Sequence, residues 1–124
     1  MGKPGNTGVR RIIRAARFSS QGLAYAWQQE AAFRQEVLLV VVLIPAAFWL
    51  ARSPTEIALL IASCLLVLVI ELINSAIEAI VDRIGEEHHV LAGAAKDMGS
   101  AAVLISLVFL AVVWIAVIFD RFYV

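Results

Sequence analysis

The chain has 124 residues, 62% of them hydrophobic, and its mean hydropathy is +0.90. These values lie outside the range of soluble globular domains and predict a single-domain integral membrane protein. The formal net charge is zero, so the total charge gives no reason to expect nucleic acid as a partner. The single cysteine, Cys64, excludes an internal disulfide.

The N-terminal region combines a short polar tail with a basic, amphipathic segment. Residues 1–8 are small and polar, and we expect them to be disordered. Residues 9–29 predict a helix, because Arg10, Arg14 and Arg17 share one face while the opposite face is apolar. A basic face beside an apolar face containing Trp27 is typical of a helix on an anionic membrane surface.

Three apolar segments follow, and each is long enough to cross a bilayer. They span about residues 31–51, 57–81 and 98–119. A turn at residues 52–55 makes the first two spans an antiparallel hairpin, and residues 86–96 predict a polar loop before the third. The predicted fold class is therefore an all-α membrane protein with an N-terminal amphipathic surface helix and three transmembrane helices.

The distribution of basic residues predicts the orientation in the membrane. With the N-terminus in the cytoplasm, eight of the ten Lys and Arg residues lie on the cytoplasmic side, and only Arg52 and Arg121 lie outside. The positive-inside rule therefore favours a cytoplasmic N-terminus. The eight are Lys3, Arg10, Arg11, Arg14, Arg17, Arg34, Arg83 and Lys96.

A polar stripe interrupts the second span. Glu71, Asn74, Glu78 and Asp82 follow one another at spacings that place them on one helical face about 80° wide. Glu71 lies about 21 Å along the helix from Ile57, still within the bilayer. A charge at the bilayer centre costs about 2.5–3.5 kcal/mol, so a carboxylate retained there indicates a functional site. A structural interhelical hydrogen bond is the alternative for Glu71 and Asn74, and a solvated helix end is the alternative for Asp82.

Several acidic residues converge at the cytoplasmic interface and favour a cation site. Mg²⁺ usually takes one or two protein carboxylates and completes its shell with water and phosphate oxygens. A partly desolvated carboxylate such as Glu71 also suits a general base that acts on a hydroxyl. The sequence contains no phosphate-binding glycine loop or protein-kinase motif that would indicate ATP. The adjacent His88 and His89 are weak candidates for a metal pair.

Three sequence motifs resemble the small prokaryotic diacylglycerol kinases. They are EAAFRQE at residues 30–36, ELINSAIEAIVDRIG at 71–85 and AKDMGSAAVL at 95–104. The resemblance extends in order from Arg11 to Trp114. It implies a multi-pass homotrimer of the bacterial inner membrane that transfers the γ-phosphate of MgATP to diacylglycerol and forms phosphatidic acid.

The resemblance also implies roles for individual residues. Glu71 would be the catalytic base, Asn74 would support it, and Glu30 and Glu78 would hold the metal. The nucleotide would contact Arg11, Phe18, Glu30, Glu78, Glu87, His88, His89, Lys96 and Asp97. The lipid would contact Arg11, Ala15, Ala16, Arg17, Phe18, Ser19, Ser20, Ala32, Phe33, Arg34, Gln35, Glu36, Glu71, Ser100 and Trp114. The sequence departs from the family at Ser20 and His88, where aromatics are expected, and at Phe18, where tyrosine is expected.

Two other functions are compatible with the sequence. The related undecaprenol kinase would differ only in its lipid, and a small proton-coupled transporter would also need membrane carboxylates. Transport requires a polar path, however, and Ser106 is almost the only polar residue that the first and third spans offer. A single subunit cannot enclose the polar stripe, so neighbouring subunits are expected to close the site, with Glu30 and Glu71 contributed by different chains.

Overall fold

The computed structural model describes residues 7–85 and 89–124, which fold into four α-helices. The last three helices are long and apolar enough to cross a membrane, so the predicted all-α fold with three candidate membrane spans is confirmed. Residues 1–6 of the predicted tail lie outside the described residues. The helices are α1, Val9–Gln29; α2, Ala31–Leu50; α3, Pro54–Ile84; and α4, Val90–Tyr123.

The turn between α2 and α3 carries a complete helix-start signal. Ser53 is the N-cap of α3, and its side chain accepts a hydrogen bond from Glu56 N at 3.2 Å. Pro54 follows at the first helical position, where its missing N–H has no cost. Glu56 Oε1 accepts in return from Arg52 N at 2.8 Å. These bonds satisfy backbone donors that would otherwise stay unpaired near the membrane surface.

The fourth helix begins earlier than the sequence predicts. Residues 86–96 were expected to form a polar loop, but α4 begins at Val90, so that prediction is wrong for its second half. The reason is local: residues 90–95 are apolar or small and contain no proline. His89 caps this start, because its Nδ1 accepts from Leu91 N at 3.1 Å. The side chains of residues 90–97 therefore project from a helix in fixed directions.

The most extensive helix interface joins α3 to α4, and the next joins α2 to α3. Their common core lies in the half of the bundle away from Glu71. A buried hydrogen bond crosses it: Trp114 Nε1 donates to Ser63 Oγ at 3.1 Å, and Ser63 Oγ donates to Leu60 O at 2.7 Å. The buried members of the core are Val40, Ala47, Leu50, Leu60, Cys64, Trp114 and Val117.

Contacts between α2, α4 and the turn close the far end of the bundle. The Arg52 guanidinium donates to the backbone carbonyl of Arg121 near the end of α4. The rings of Trp49 and Phe122 lie with their centroids 6.1 Å apart. A cation at a helix C-terminus interacts favourably with its free carbonyls and dipole. The hairpin of α2 and α3 is thereby joined to the last turn of α4.

The corner between α1 and α2 is a single residue, Glu30. Its backbone is extended, with φ −116° and ψ 105°, and it interrupts two helices that are otherwise continuous. Arg34, one turn into α2, donates from Nη1 to the carbonyls of Trp27 and Gln28 at 2.6 and 3.3 Å. Arg34 thus caps the C-terminus of α1 and joins the two helices.

Candidate functional site

The predicted polar stripe begins on the buried face of α3 and becomes exposed toward Asp82. Glu71 is 4% exposed and Asn74 is 8% exposed, although both lie on a helix whose other faces are largely apolar. Asn74 Nδ2 donates to Glu78 Oε1 at 3.3 Å, one turn further along. A buried carboxylate is costly unless charge or hydrogen bonds compensate it. Glu71 and Asn74 are therefore polar side chains held in a part of the fold that water does not reach.

Carboxylates from three parts of the chain surround Glu71. Its electrostatic neighbours are Glu78 on α3, Glu36 on α2 and Glu30 at the α1–α2 corner. Glu36 Oε2 is shielded from solvent and has no hydrogen-bond partner among residues 7–85 and 89–124. Like charges in a poorly solvated cluster require a compensating positive charge, from a proton or a cation. Within one chain, Glu30 lies near enough to Glu71 for their charges to interact.

Gly99 positions Asn74 from the opposite helix. Gly99 is buried on α4, and a Cβ atom at this position would overlap Asn74 Oδ1. Only glycine permits this approach of α4 to α3, which allows the Asn74 side chain to point along α3 toward Glu78. Asn74 Oδ1 itself accepts no conventional hydrogen bond within the described part of the chain. A Cβ atom at Gly93, the other glycine of α4, would meet no atom within 4 Å, so the close approach is specific to Gly99.

The open end of the site is bounded by an ion pair. Lys96 Nζ lies 2.6 Å from Asp82 Oδ1, and the two side chains are 44% and 65% exposed. This pair joins the end of α3 to the start of α4, so Asp82 is more than a solvated helix end. Asp97 and Ser100 are exposed on the same part of α4. Lys96 is therefore held next to the polar stripe, in the position of a cation that a phosphate could reach.

Other predicted site residues have structural contacts as well. Arg34, predicted to contact lipid, caps α1, and His89, predicted to contact the nucleotide, caps α4. His89 also lines an open depression of about 820 Å³ with Ile84 and Ala95. The predicted nucleotide contacts Glu87 and His88 lie outside the described residues. Phe33 is buried, whereas Ala32 and Gln35 are exposed on α2.

The predicted residues of α1 lie on its exposed surface. Arg11, Ala15, Arg17 and Phe18 border one open depression of the helix, and Phe18 is 65% exposed. Ala16, Ser19 and Ser20 are also exposed, and Ser19 Oγ donates to the Ala15 carbonyl at 2.8 Å. These side chains are available to a lipid or a nucleotide, and Ser19 also lines a groove with Ser75 of α3, which lies one turn from Glu71.

Trp114 lies apart from the acidic cluster. It is 7% exposed and packs in the core around Ser63. Ser63 precedes Glu71 by eight residues, so the two lie about 12 Å apart along α3 at about 1.5 Å per residue. The structure gives Trp114 an internal hydrogen bond and does not place it beside Glu71.

The sequence analysis missed two features of this region. The cap that Arg34 places on α1 was not predicted, because no periodicity indicates that α1 ends one residue before α2 begins. Ser75 was also overlooked, although it follows Asn74 and lies one turn from Glu71. Its spacing from Glu71 was a usable signal, but its environment depends on where α1 packs.

The carboxylates are compatible with a metal that binds with its substrate. Within the described ranges, no group of three or more His, Cys, Asp or Glu side chains is arranged to hold a metal ion. Glu30 and Glu78 both lie near enough to Glu71 for their charges to interact with it, however. Two carboxylates suffice for Mg²⁺ when phosphate oxygens and water supply the other ligands.

Together, these features define an α-helical integral membrane protein with a buried acidic site near one end of its bundle. The sequence model of the family described as prokaryotic diacylglycerol kinase matches residues 17–118. The chain belongs to this family.

Curated relatives agree over nearly the whole chain. The diacylglycerol kinase of Pseudomonas aeruginosa is 54% identical over 114 residues, which cover 92% of this chain and 93% of that protein. The Escherichia coli K12 diacylglycerol kinase is 50% identical over 116 residues, covering 94% and 95%. The diacylglycerol kinase of Helicobacter pylori is 48% identical over 111 residues, covering 90% and 87%.

Proposed function

We propose that this protein transfers the γ-phosphoryl group of ATP to the free hydroxyl of diacylglycerol and forms phosphatidic acid. Its place would be the cytoplasmic face of the bacterial inner membrane. The observation that carries the proposal is the burial of Glu71 among Asn74, Glu78, Glu36 and Glu30, in a chain about half identical to diacylglycerol kinases. Family membership favours a kinase over the transporter alternative.

Glu71 is the proposed general base. In the reaction, the lipid oxygen bonds to the γ-phosphorus, the bond from that phosphorus to the β–γ bridging oxygen breaks, and ADP leaves. The proton of the lipid hydroxyl passes to a carboxylate oxygen of Glu71. Its burial keeps water away from the acceptor, and its depth in α3 suits a hydroxyl that arrives from the bilayer. Asn74 contributes by fixing Glu78 through their hydrogen bond.

Glu30 and Glu78 are the proposed ligands of Mg²⁺. Bound together with ATP, the ion would neutralise phosphate charge and align the transferred group. Both carboxylates face Glu71, so phosphates held there would lie beside the base. The cation would also stabilise the cluster, because its positive charge offsets the mutual repulsion of the carboxylates.

Lys96 is the proposed counter-charge for the phosphates. In this structure Lys96 Nζ lies 2.6 Å from Asp82 Oδ1. An exposed ion pair of this kind contributes little to stability, so phosphate oxygens can replace Asp82 at small cost. The proposed nucleotide site also includes Asp97 and His89, which lie near Lys96 on α4. Asp97 is exposed one residue after Lys96, and His89 is the N-cap of the helix.

A homotrimer is part of the proposal. Large apolar side chains remain exposed along α2, α3 and α4, where lipid tails or other subunits would cover them. The predicted lipid contacts Arg11, Arg17 and Phe18 are also exposed on α1 of their own chain. A neighbouring subunit would supply these contacts and enclose the site.

An assay of lipid phosphorylation tests the function. The purified protein is given MgATP with diacylglycerol or undecaprenol, side by side in mixed micelles, and labelled lipid products are separated. We expect kcat/KM for diacylglycerol to exceed kcat/KM for undecaprenol by at least about tenfold, because the relatives are named as diacylglycerol kinases. A preference for undecaprenol would replace the proposed substrate, and no transfer to either lipid would refute the kinase.

A further inference from the structure

Ser75 is a buried hydroxyl whose bonding differs from that of other helical serines. Ser19, Ser63 and Ser106 each donate to a carbonyl three or four residues earlier, at 2.7–2.8 Å. Ser75 Oγ is shielded from solvent, yet it has no hydrogen-bond partner within residues 7–85 and 89–124. A buried hydroxyl left unbonded is costly, so this rotamer leaves the hydroxyl available for a new bond. Rotation about the Cα–Cβ bond would let a ligand in the groove that Ser75 lines reach the hydroxyl.

Ser75 lines a groove between α1 and α3, which we call the α1–α3 groove. Its volume is about 510 Å³, within the range of small-molecule sites. Apart from a few hydroxyls its walls are apolar, with Gly22, Leu23 and Ala26 on α1 facing Leu72, Ala76 and Ala79 on α3. Such walls suit hydrocarbon, and no charged side chain lines the groove among the described residues.

The groove lies next to the proposed base. Ser75 follows Glu71 by four residues on α3, so their Cβ atoms are neighbours about 5–6 Å apart. In a 1,2-diacylglycerol, the free hydroxyl and the nearest ester are carried by adjacent carbons. A lipid whose hydroxyl reaches Glu71 therefore places an ester group within reach of Ser75.

We propose that Ser75 is a lipid-positioning residue that donates a hydrogen bond to an ester carbonyl of diacylglycerol in the α1–α3 groove. The ester carbonyl is only an acceptor, so it matches a hydroxyl whose proton has no partner. The acyl chain leaves along the apolar walls, and the bond orients the single free hydroxyl of the lipid toward Glu71. This inference rests on the proposed phosphorylation of diacylglycerol and adds a determinant of specificity to it, because a polyprenol has no carbonyl.

The test compares ester and ether lipids. The purified full-length protein, Ser75→Ala and Ser106→Ala are assayed at saturating MgATP with 1,2-dioleoylglycerol and with its dialkyl ether analogue. We expect Ser75→Ala to raise KM for the ester by about threefold to tenfold, the size of one hydrogen bond, while KM for the ether and for MgATP stays unchanged. Ser106→Ala, which removes a buried hydroxyl already bonded within its helix, should leave the ester preference intact.

Equal losses on both lipids, or no loss on either, would overturn the role of Ser75, because a purely structural serine cannot distinguish ester from ether. If Ser75→Ala does not fold, judged by helicity and thermal unfolding in detergent, Ser75→Cys provides a nearly isosteric side chain with a weak donor. It should lose the ester preference too, and a parental preference in that variant refutes the proposal. A parent enzyme inactive on the ester would instead refute the proposed function itself.

Discussion

Gly99 of α4 lies directly against the side chain of Asn74 of α3, leaving no room for a Cβ atom. The contact connects the packing of two membrane helices to the acidic site, because Asn74 also bonds Glu78 at 3.3 Å. Gly99→Ala should displace Asn74 and break this bond. We expect kcat to fall by about tenfold to a hundredfold, as for other small displacements of catalytic groups.

A second glycine of α4 provides the matched control. A Cβ atom at Gly93 would meet no atom within 4 Å. Gly93→Ala should therefore keep activity and stabilise the helix by about 0.8–1.0 kcal/mol. Activity in mixed micelles and thermal unfolding are measured for both variants. Similar activities for Gly99→Ala and Gly93→Ala would contradict a positioning role for Gly99.

Glu71→Gln should remove the proton acceptor with little change in volume. We expect turnover to fall by about 10²–10⁴-fold while helicity and oligomeric state stay at parental values. Asp120→Asn makes the same chemical change at the far end of α4 and should leave turnover within about twofold. A folded Glu71→Gln enzyme with near-parental turnover would exclude Glu71 as the base.

The metal role of Glu30 and Glu78 predicts a linked defect. Either residue changed to Gln should shift the Mg²⁺ dependence of activity to higher concentration and raise KM for ATP in the same variant, because one cation joins carboxylate to phosphate. The measurement is a Mg²⁺ titration at several ATP concentrations. A variant that titrates like the parent does not carry a ligand at the substituted position.

The convergence of Glu30 and Glu71 in one chain predicts the outcome of subunit mixing. Inactive Glu30→Gln and inactive Glu71→Gln subunits, carrying different tags, are unfolded, mixed and reassembled. If each site takes both residues from one chain, every mixed site lacks one of them. Activity of the purified mixed oligomers should therefore stay at the level of the inactive parents. Restored activity would show that neighbouring subunits share the pair.

The orientation in the membrane can be tested with single cysteines at Thr55 and Arg83, which are exposed near opposite ends of α3. Cys64 is replaced by Ala to remove background. With a cytoplasmic N-terminus, a membrane-impermeant maleimide added to sealed spheroplasts should label Thr55→Cys, and it should label Arg83→Cys only after lysis. The opposite pattern would place the acidic site on the side without ATP.

The sequence predicted most of the helices, because hydropathy and polar spacing are local properties. The stripe of Glu71, Asn74 and Glu78 follows from helical geometry alone, and the structure buries Glu71 and Asn74 while Glu78 is half-buried. The start of α4 at Val90 differs from the prediction, because the apolar first turn lies between charged residues and was assigned with them to a polar loop. The contacts of Arg34 and Ser75 could not be predicted, since both depend on the angle at which α1 leaves α2.

That angle is set by one residue. Glu30 is the only non-helical position between α1 and α2, so any rotation of α1 relative to the membrane spans must occur through the torsions around it. The same residue carries a carboxylate that faces Glu71. A hinge motion of the first helix would thus swing this carboxylate, and an ion fixed by it would in turn stiffen the hinge. Glu30 therefore belongs both to the acidic site and to the connection between α1 and α2.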